Sequence, residues 1–124
     1  MIRRGKAPRK GEWAIPGGRQ ELGETVAEGA RREVLEETGV TCRIAGLIDV
    51  VDGISRHADG SLIYHYTLID MWGEWQAGEA VAASDAMAAC FMPLTDVETL
   101  KLWPETRRII AMAQDLRAGG GLKR

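Results

Sequence analysis

Cysteine is scarce: there are two in 124 residues, Cys42 and Cys90, far apart and in no Cys-x-x-Cys or Cys/His arrangement. That argues against a disulfide framework or a zinc cage, and two reduced, mostly buried thiols are expected. His57 and His65 match no zinc spacing and no His-Glu-x-x-His pattern. Aromatic residues make up only 6% of the chain, with a single phenylalanine. No apolar run approaches the ~18 residues of a membrane span. The amino terminus has no apolar signal-peptide core, so a cytoplasmic protein without membrane contact is expected. Charge of one sign is missing as well. Sixteen Lys and Arg against eighteen Asp and Glu leave a net charge of -2, which argues against a dedicated nucleic-acid binder.

What is present fits one domain spanning 1–124, with 45% apolar and 27% charged residues. Charge is uneven along it. Arg3, Arg4, Lys6, Arg9 and Lys10 crowd the first ten residues without an acid, while residues 21–37 hold six glutamates. A basic strip beside an acidic cluster suits an anionic substrate bridged by cations.

Residues 5–18 are rich in Gly, Pro and basic side chains and read as a loop. Thr25 with Glu28 three residues later forms a capping box that opens a helix. Ala27, Ala30, Val34 and Thr38 recur at helical spacing, and Gly39 is the left-handed stop. Cys42–Val51 has strand composition, and 55–60 reads as a turn or loop. Leu62–Trp75 alternates with apolar residues on both faces, which predicts a central strand. Gln76–Asp85 is a small-residue loop, and Ala88–Leu94 a short strand. Pro104 opens a closing helix with Ile109, Ile110, Ala113 and Leu116 as its apolar stripe. Residues 119–124, with their three glycines, read as a flexible tail. The order predicts an α+β fold, a mixed sheet between helices.

Glu33, Glu36 and Glu37 stand at i, i+3 and i+4, on one helical face. Like charges at that spacing weaken a helix, and the last turn's negative pole adds to the cost. Arg31 and Arg32 relieve part of this. A hard divalent cation relieves more, and carboxylate oxygens around a hydrated ion are what magnesium prefers. The simpler alternative is a solvated acidic face. Pro16-Gly17-Gly18 and Gly23-Glu24 let the backbone wrap closely against the helix and bring Glu24 towards the same carboxylates.

Gly18, five residues, Glu24, seven residues, then Arg32-Glu33-Val34-Leu35-Glu36-Glu37-Thr38-Gly39-Val40 resembles the complete signature of the Nudix hydrolase family. The approach Gly11-Glu12-Trp13-Ala14-Ile15-Pro16-Gly17-Gly18 is similar to the usual lead into that box. The resemblance implies an α/β/α sandwich around a mixed sheet. It also implies hydrolysis of a phosphoanhydride in a nucleoside diphosphate linked to another group, with Mg2+ or Mn2+. By position, Glu33, Glu36 and Glu37 would ligate metal, with a carbonyl from Gly17 or its neighbour. Glu24 would support that cluster, Arg32 would orient a glutamate, and Gly18 and Gly39 would shape the loops. The general base implied is Glu36 or Glu37, or a loop acid, Asp85 or Glu79.

Family members carry a full strand and hairpin before the position of Arg3-Arg4. Met1–Arg4 is too short for that, so the usual first strand is expected to be lacking. An exposed sheet edge would follow, and with it a homodimer, paired through Leu62–Trp75 or the amino terminus. Arg3, Arg4 and Arg19 are candidates to hold phosphates, and Trp13, with Trp72, Trp75 and Trp103, to stack on a base. Likeness beyond the box leans towards ADP-ribose or nucleoside triphosphate hydrolases. The alternative function is a catalytically silent nucleotide-binding sensor.

Overall fold

The computed structural model describes residues 1–122. It orders eight elements: β1 (Ile2–Arg4), β2 (Trp13–Ala14), α1 (Val26–Thr38), β3 (Thr41–Arg56), β4 (Leu62–Ala77), β5 (Ala86–Ala89), α2 (Leu94–Val97) and α3 (Pro104–Leu122). This is the expected α+β class, but the strands form two small antiparallel sheets rather than one mixed sheet. One has the order β2-β1-β5 and the other is the hairpin β3-β4. The physical reason is length. β1 has three residues and spends both edges on β2 and β5, so among the described residues no strand links the two sheets.

Met1–Arg4 therefore does make a strand, though a short one. Ile2 lies opposite Ala14 on one side and Ala89 on the other, and the Met1 amino group donates to the Cys90 carbonyl at 3.0 Å. Ile2 is buried with Val40, Cys42, Val51, Val97, Leu102 and Ile109, which together form the core. Cys42 and Cys90 are both free thiols.

Further expectations are corrected. β4 is not central: among the described residues it pairs with β3 alone. Apolar residues on both faces mark a strand that needs covering, and the sequence cannot say whether the cover is present. The segment 55–60 belongs partly to β3, which runs to Arg56 before a turn closed by the His57 amide on the Ser61 carbonyl at 2.8 Å. Of the tail expected over 119–124, residues as far as Leu122 fall within the bounds of α3, and 123 and 124 lie outside the described residues.

The strand expected over Ala88–Leu94 ends at Ala89, and Pro93 instead leads into the short helix α2. Among the described residues no helix is long and apolar enough to cross a membrane.

Candidate active site on the first helix

Local chemistry sets α1 in place. The Thr25 hydroxyl accepts from the Glu28 amide and the Glu28 carboxylate accepts from the Thr25 amide, each at 3.1 Å. At the far end Gly39 takes φ 73°, a left-handed conformation that side chains resist, and donates to the Leu35 carbonyl at 2.9 Å. The glutamate face between these caps is held by one guanidinium.

Arg32 is that hub. Its Nε and Nη2 reach both oxygens of Glu24 at 2.8–3.2 Å. Nη1 reaches Glu33 at 2.7 Å and Glu36 at 3.1 Å, and Nη2 also donates to the Arg19 carbonyl at 2.7 Å. A planar fork with five donors can serve so many acceptors at once; a lysine cannot. Glu24 is fixed on its other side by the Glu21 amide at 2.7 Å, and Gly29 leaves room for it. A β-carbon on Gly29 would stand 3.0 Å from the Glu24 carboxylate. At Gly18 the crowding is worse, because a side chain there would collide with the Glu33 carboxylate.

Glu37 lies behind this surface, only 7% exposed. Burial, then the adjoining Glu33 carboxyl through hydrogen bonding and charge, pushes its pKa up to about 7. The Gly17 backbone and the Arg4 guanidinium pull the other way. Its Oε2 is buried and, among the described residues, has no hydrogen-bond partner. Such an orphaned acceptor is costly unless something else fills the gap.

The loop after β4 closes the end of α1. The Val81 amide donates to the Thr38 carbonyl at 2.9 Å and the Ala83 amide to the Glu37 carbonyl at 3.0 Å. Its acids point elsewhere. The Asp85 carboxylate pairs with Lys6 at 3.1 Å, and Glu79 lines an open cleft of about 460 Å³ with Trp75, Gly78, Ala80 and Phe91. Among the described residues no hydrogen bond joins either carboxyl to the α1 glutamates.

The basic strip is largely engaged by its own loop: Arg3 donates to the Gly11 carbonyl at 2.9 Å and Arg4 to that of Pro8 at 2.6 Å. Trp13 is half-buried in β2 opposite Arg3, and Arg9 lies over the Trp103 ring at 3.9 Å.

Sequence reasoning missed the reach of Arg32 and the roles of Gly29 and Glu21. Gly29 carried a signal, since a glycine inside a capped helix usually marks close approach. The others depend on how the preceding loop folds back, which no local spacing encodes.

Among the described residues no three His, Cys, Asp or Glu side chains converge tightly enough to cage a metal ion. Magnesium does not need a cage, because it keeps several waters and binds through one or two carboxylates plus substrate phosphates. The orphaned Glu37 Oε2 and the hard oxygens of Glu33 and Glu36 fit such an ion.

The chain is 37% identical over 100 residues to an ADP-ribose pyrophosphatase of Methanocaldococcus jannaschii, covering 81% of this chain and 57% of that protein. The fold resembles the crystal structure of a MutT NUDIX hydrolase from Burkholderia pseudomallei, with a TM-score of 0.73 and 29% identity over 90% of this chain and 84% of that one. A NUDIX hydrolase from Nitrosomonas europaea shares the fold at a TM-score of 0.69 and 21% identity, over 96% of this chain and 64% of that one. The family profile described as the NUDIX domain matches residues 1–113, and with the Glu24–Arg32–Glu33–Glu36 network in place the chain belongs to that family.

Proposed function

We propose that the whole chain, as one domain, hydrolyses a phosphoanhydride bond in a nucleoside diphosphate linked to another moiety, with ADP-ribose and nucleoside triphosphates as the substrate candidates. The observation that carries this reading is the buried, unpartnered Glu37 Oε2 beside Glu33. Once ionised, that carboxylate is left short of a positive partner, and Arg32 is already committed to Glu24, Glu33 and Glu36.

Glu33, Glu36 and Glu37, with a carbonyl from Gly17, would hold Mg2+ or Mn2+. The bound ion would neutralise the pyrophosphate and lower the pKa of the attacking water. The chain's own residues do the positioning. Arg32 holds Glu33 and Glu36 in register, Glu24 anchors Arg32, and Gly18 lets the loop lie against Glu33. The water's proton passes to a carboxylate of α1, Glu36 or Glu37, rather than to Asp85 or Glu79, which face Lys6 and the open cleft. Arg4, whose charge acts on Glu37, is the best placed of the basic strip to meet phosphate. Arg3, Arg19 and Trp13 complete the substrate contacts. Reaction at a phosphoanhydride needs mainly this kind of positioning and charge stabilisation.

The reading includes a cytoplasmic homodimer acting on a small-molecule nucleotide. The test is phosphate and nucleotide release from ADP-ribose, other nucleoside diphosphate sugars, dinucleoside polyphosphates and nucleoside triphosphates, with magnesium or manganese. Metal-dependent turnover that Glu37→Gln abolishes supports it. Nucleotide binding without turnover would favour the silent sensor instead.

A further inference from the structure

Arg9 keeps a half-buried guanidinium with nothing to hold. Among the described residues no carboxylate pairs with it and no acceptor meets any of its five N–H groups; Glu12 acts on it only as a charge. Its neighbours in the basic strip are engaged or in open solvent. Arg3 donates to Gly11 and Arg4 to Pro8 within the loop, Lys6 pairs with Asp85, and Lys10 is exposed.

What Arg9 has is a ring. Its guanidinium carbon sits 3.9 Å from the centre of the Trp103 ring. At that separation an edge-on fork would drive a nitrogen into the indole, so the two planes lie close to parallel. Stacking of this kind is attractive and leaves the N–H groups pointing outward in the plane. The backbone accepts strain here: Arg9 takes φ 56°, in the left-handed region that favours glycine. Such strain persists where the surroundings impose it, and it gathers at ligand clamps.

The stack stands at the rim of the glutamate site. Arg9 is carried by the loop between β1 and β2, closed by the Arg4 amide on the Glu12 carbonyl at 2.9 Å and the Gly11 amide on the Arg4 carbonyl at 2.7 Å. Both strands lead to Glu37, because the Arg4 charge at the end of β1 and the Gly17 backbone beyond β2 each act on its carboxyl. Arg4 is also within reach of Arg9: burial lowers the Arg9 pKa, Glu12 raises it and the like charge of Arg4 lowers it again. An anion beside the two arginines would relieve that repulsion. Trp103 comes from elsewhere in the chain, just before α3 opens at Pro104, and its carbonyl accepts from the Arg107 amide at 3.2 Å. A helix thus fixes the ring on which the loop's guanidinium rests.

We infer that Arg9, oriented by Trp103, binds a phosphate of the substrate at this site. Its fork can take two phosphate oxygens at once. With Arg4 beside it, the loop presents two guanidiniums to the two phosphates of a nucleoside diphosphate. The inference deepens the proposed function and rests on its substrate being a phosphoanhydride.

Calorimetric titration of the full chain with inorganic pyrophosphate, in excess chelator and at low ionic strength, reads this site without turnover. Arg9→Met should weaken binding about tenfold or more, as loss of charged hydrogen bonds does. Lys10→Met removes the same charge from the exposed neighbouring position and should change it less than about twofold. Trp103→Leu should cost about threefold or more in the native chain and less than about twofold once Arg9→Met is in place, since the ring acts through the guanidinium. Melting curves check that each variant folds. If Arg9→Met does not, Arg9→Lys keeps the charge without the fork and should lose about threefold or more. For any nucleotide the chain turns over, Arg9→Met should raise KM about tenfold and leave kcat within about threefold.

No turnover of any nucleotide, with pyrophosphate still bound and Arg9→Met weakening it, would sink the hydrolase reading and leave the inference standing. The inference itself falls if the native chain binds no pyrophosphate, if Arg9→Met binds it as the native chain does, or if Lys10→Met weakens it as much. Equal losses from Trp103→Leu in both backgrounds would overturn it too, because the ring would then not be acting through Arg9.

Discussion

Glu37 holds a proton that its neighbours make hard to lose. Its carboxyl titrates near 7 in the fold against an ordinary 4.5, because burial and Glu33 both disfavour the anion. The sign follows: this carboxyl favours the fold fully below pH 4.5 and loses that contribution as pH rises through 7. In chelator, the unfolding free energy should therefore fall between pH 4.5 and 7, by on the order of 3 kcal/mol. Glu37→Gln should flatten that decline, which urea titrations at pH 4.5, 6 and 8 would show. The same substitution should cut kcat about a hundredfold or more in saturating magnesium, since it removes an oxygen anion without removing packing. Arg32→Lys should lower kcat/KM about tenfold or more despite keeping the charge, because one ammonium cannot span Glu24, Glu33 and Glu36. Steady-state kinetics on whichever nucleotide the screen selects would check both.

Among the elements, α1 is the best separated into a scaffold and a working face. Thr25→Ala deletes the cap and should cost about 1 kcal/mol of stability in urea while leaving turnover per folded molecule unchanged. The loop after β4 gives the opposite contrast. Asp85→Asn should keep kcat within about threefold, since its carboxylate is spent on exposed Lys6. A large loss in kcat alone would return the general base to that loop. Both ends of α1 were legible in the sequence because the capping box and the left-handed glycine are local chemistry, complete within a few residues. β4 was legible as a strand but not in its place. An apolar residue such as Ile69 records a need for cover and says nothing of what supplies it. The short helix α2 had too few residues to show a period. The Arg32 network was half legible: the spacing to Glu36 is visible along the helix, whereas Glu24 and the Arg19 carbonyl arrive from a loop.

At the scale of the whole molecule, metal should act as a folding ligand. An ion that binds the fold and not the unfolded chain adds about 2.7 kcal/mol at a hundred times its Kd. Magnesium or manganese should raise the melting temperature and excess chelator lower it, and Glu37→Gln should shrink the difference. Identical scanning-calorimetry traces with and without metal would count against the site. The two backbone bonds from Val81 and Ala83 to the last turn of α1 have a kinetic counterpart. α1 can form from neighbours in sequence, but those bonds join segments far apart along the chain and wait on the hairpin between them. The end of the helix that carries Glu37 is thus the part expected to assemble last and to open first. Isotope exchange at Val81 and Ala83 would then run as a shared clock, ticking faster than the middle of the helix and timing how often water reaches the buried carboxyl.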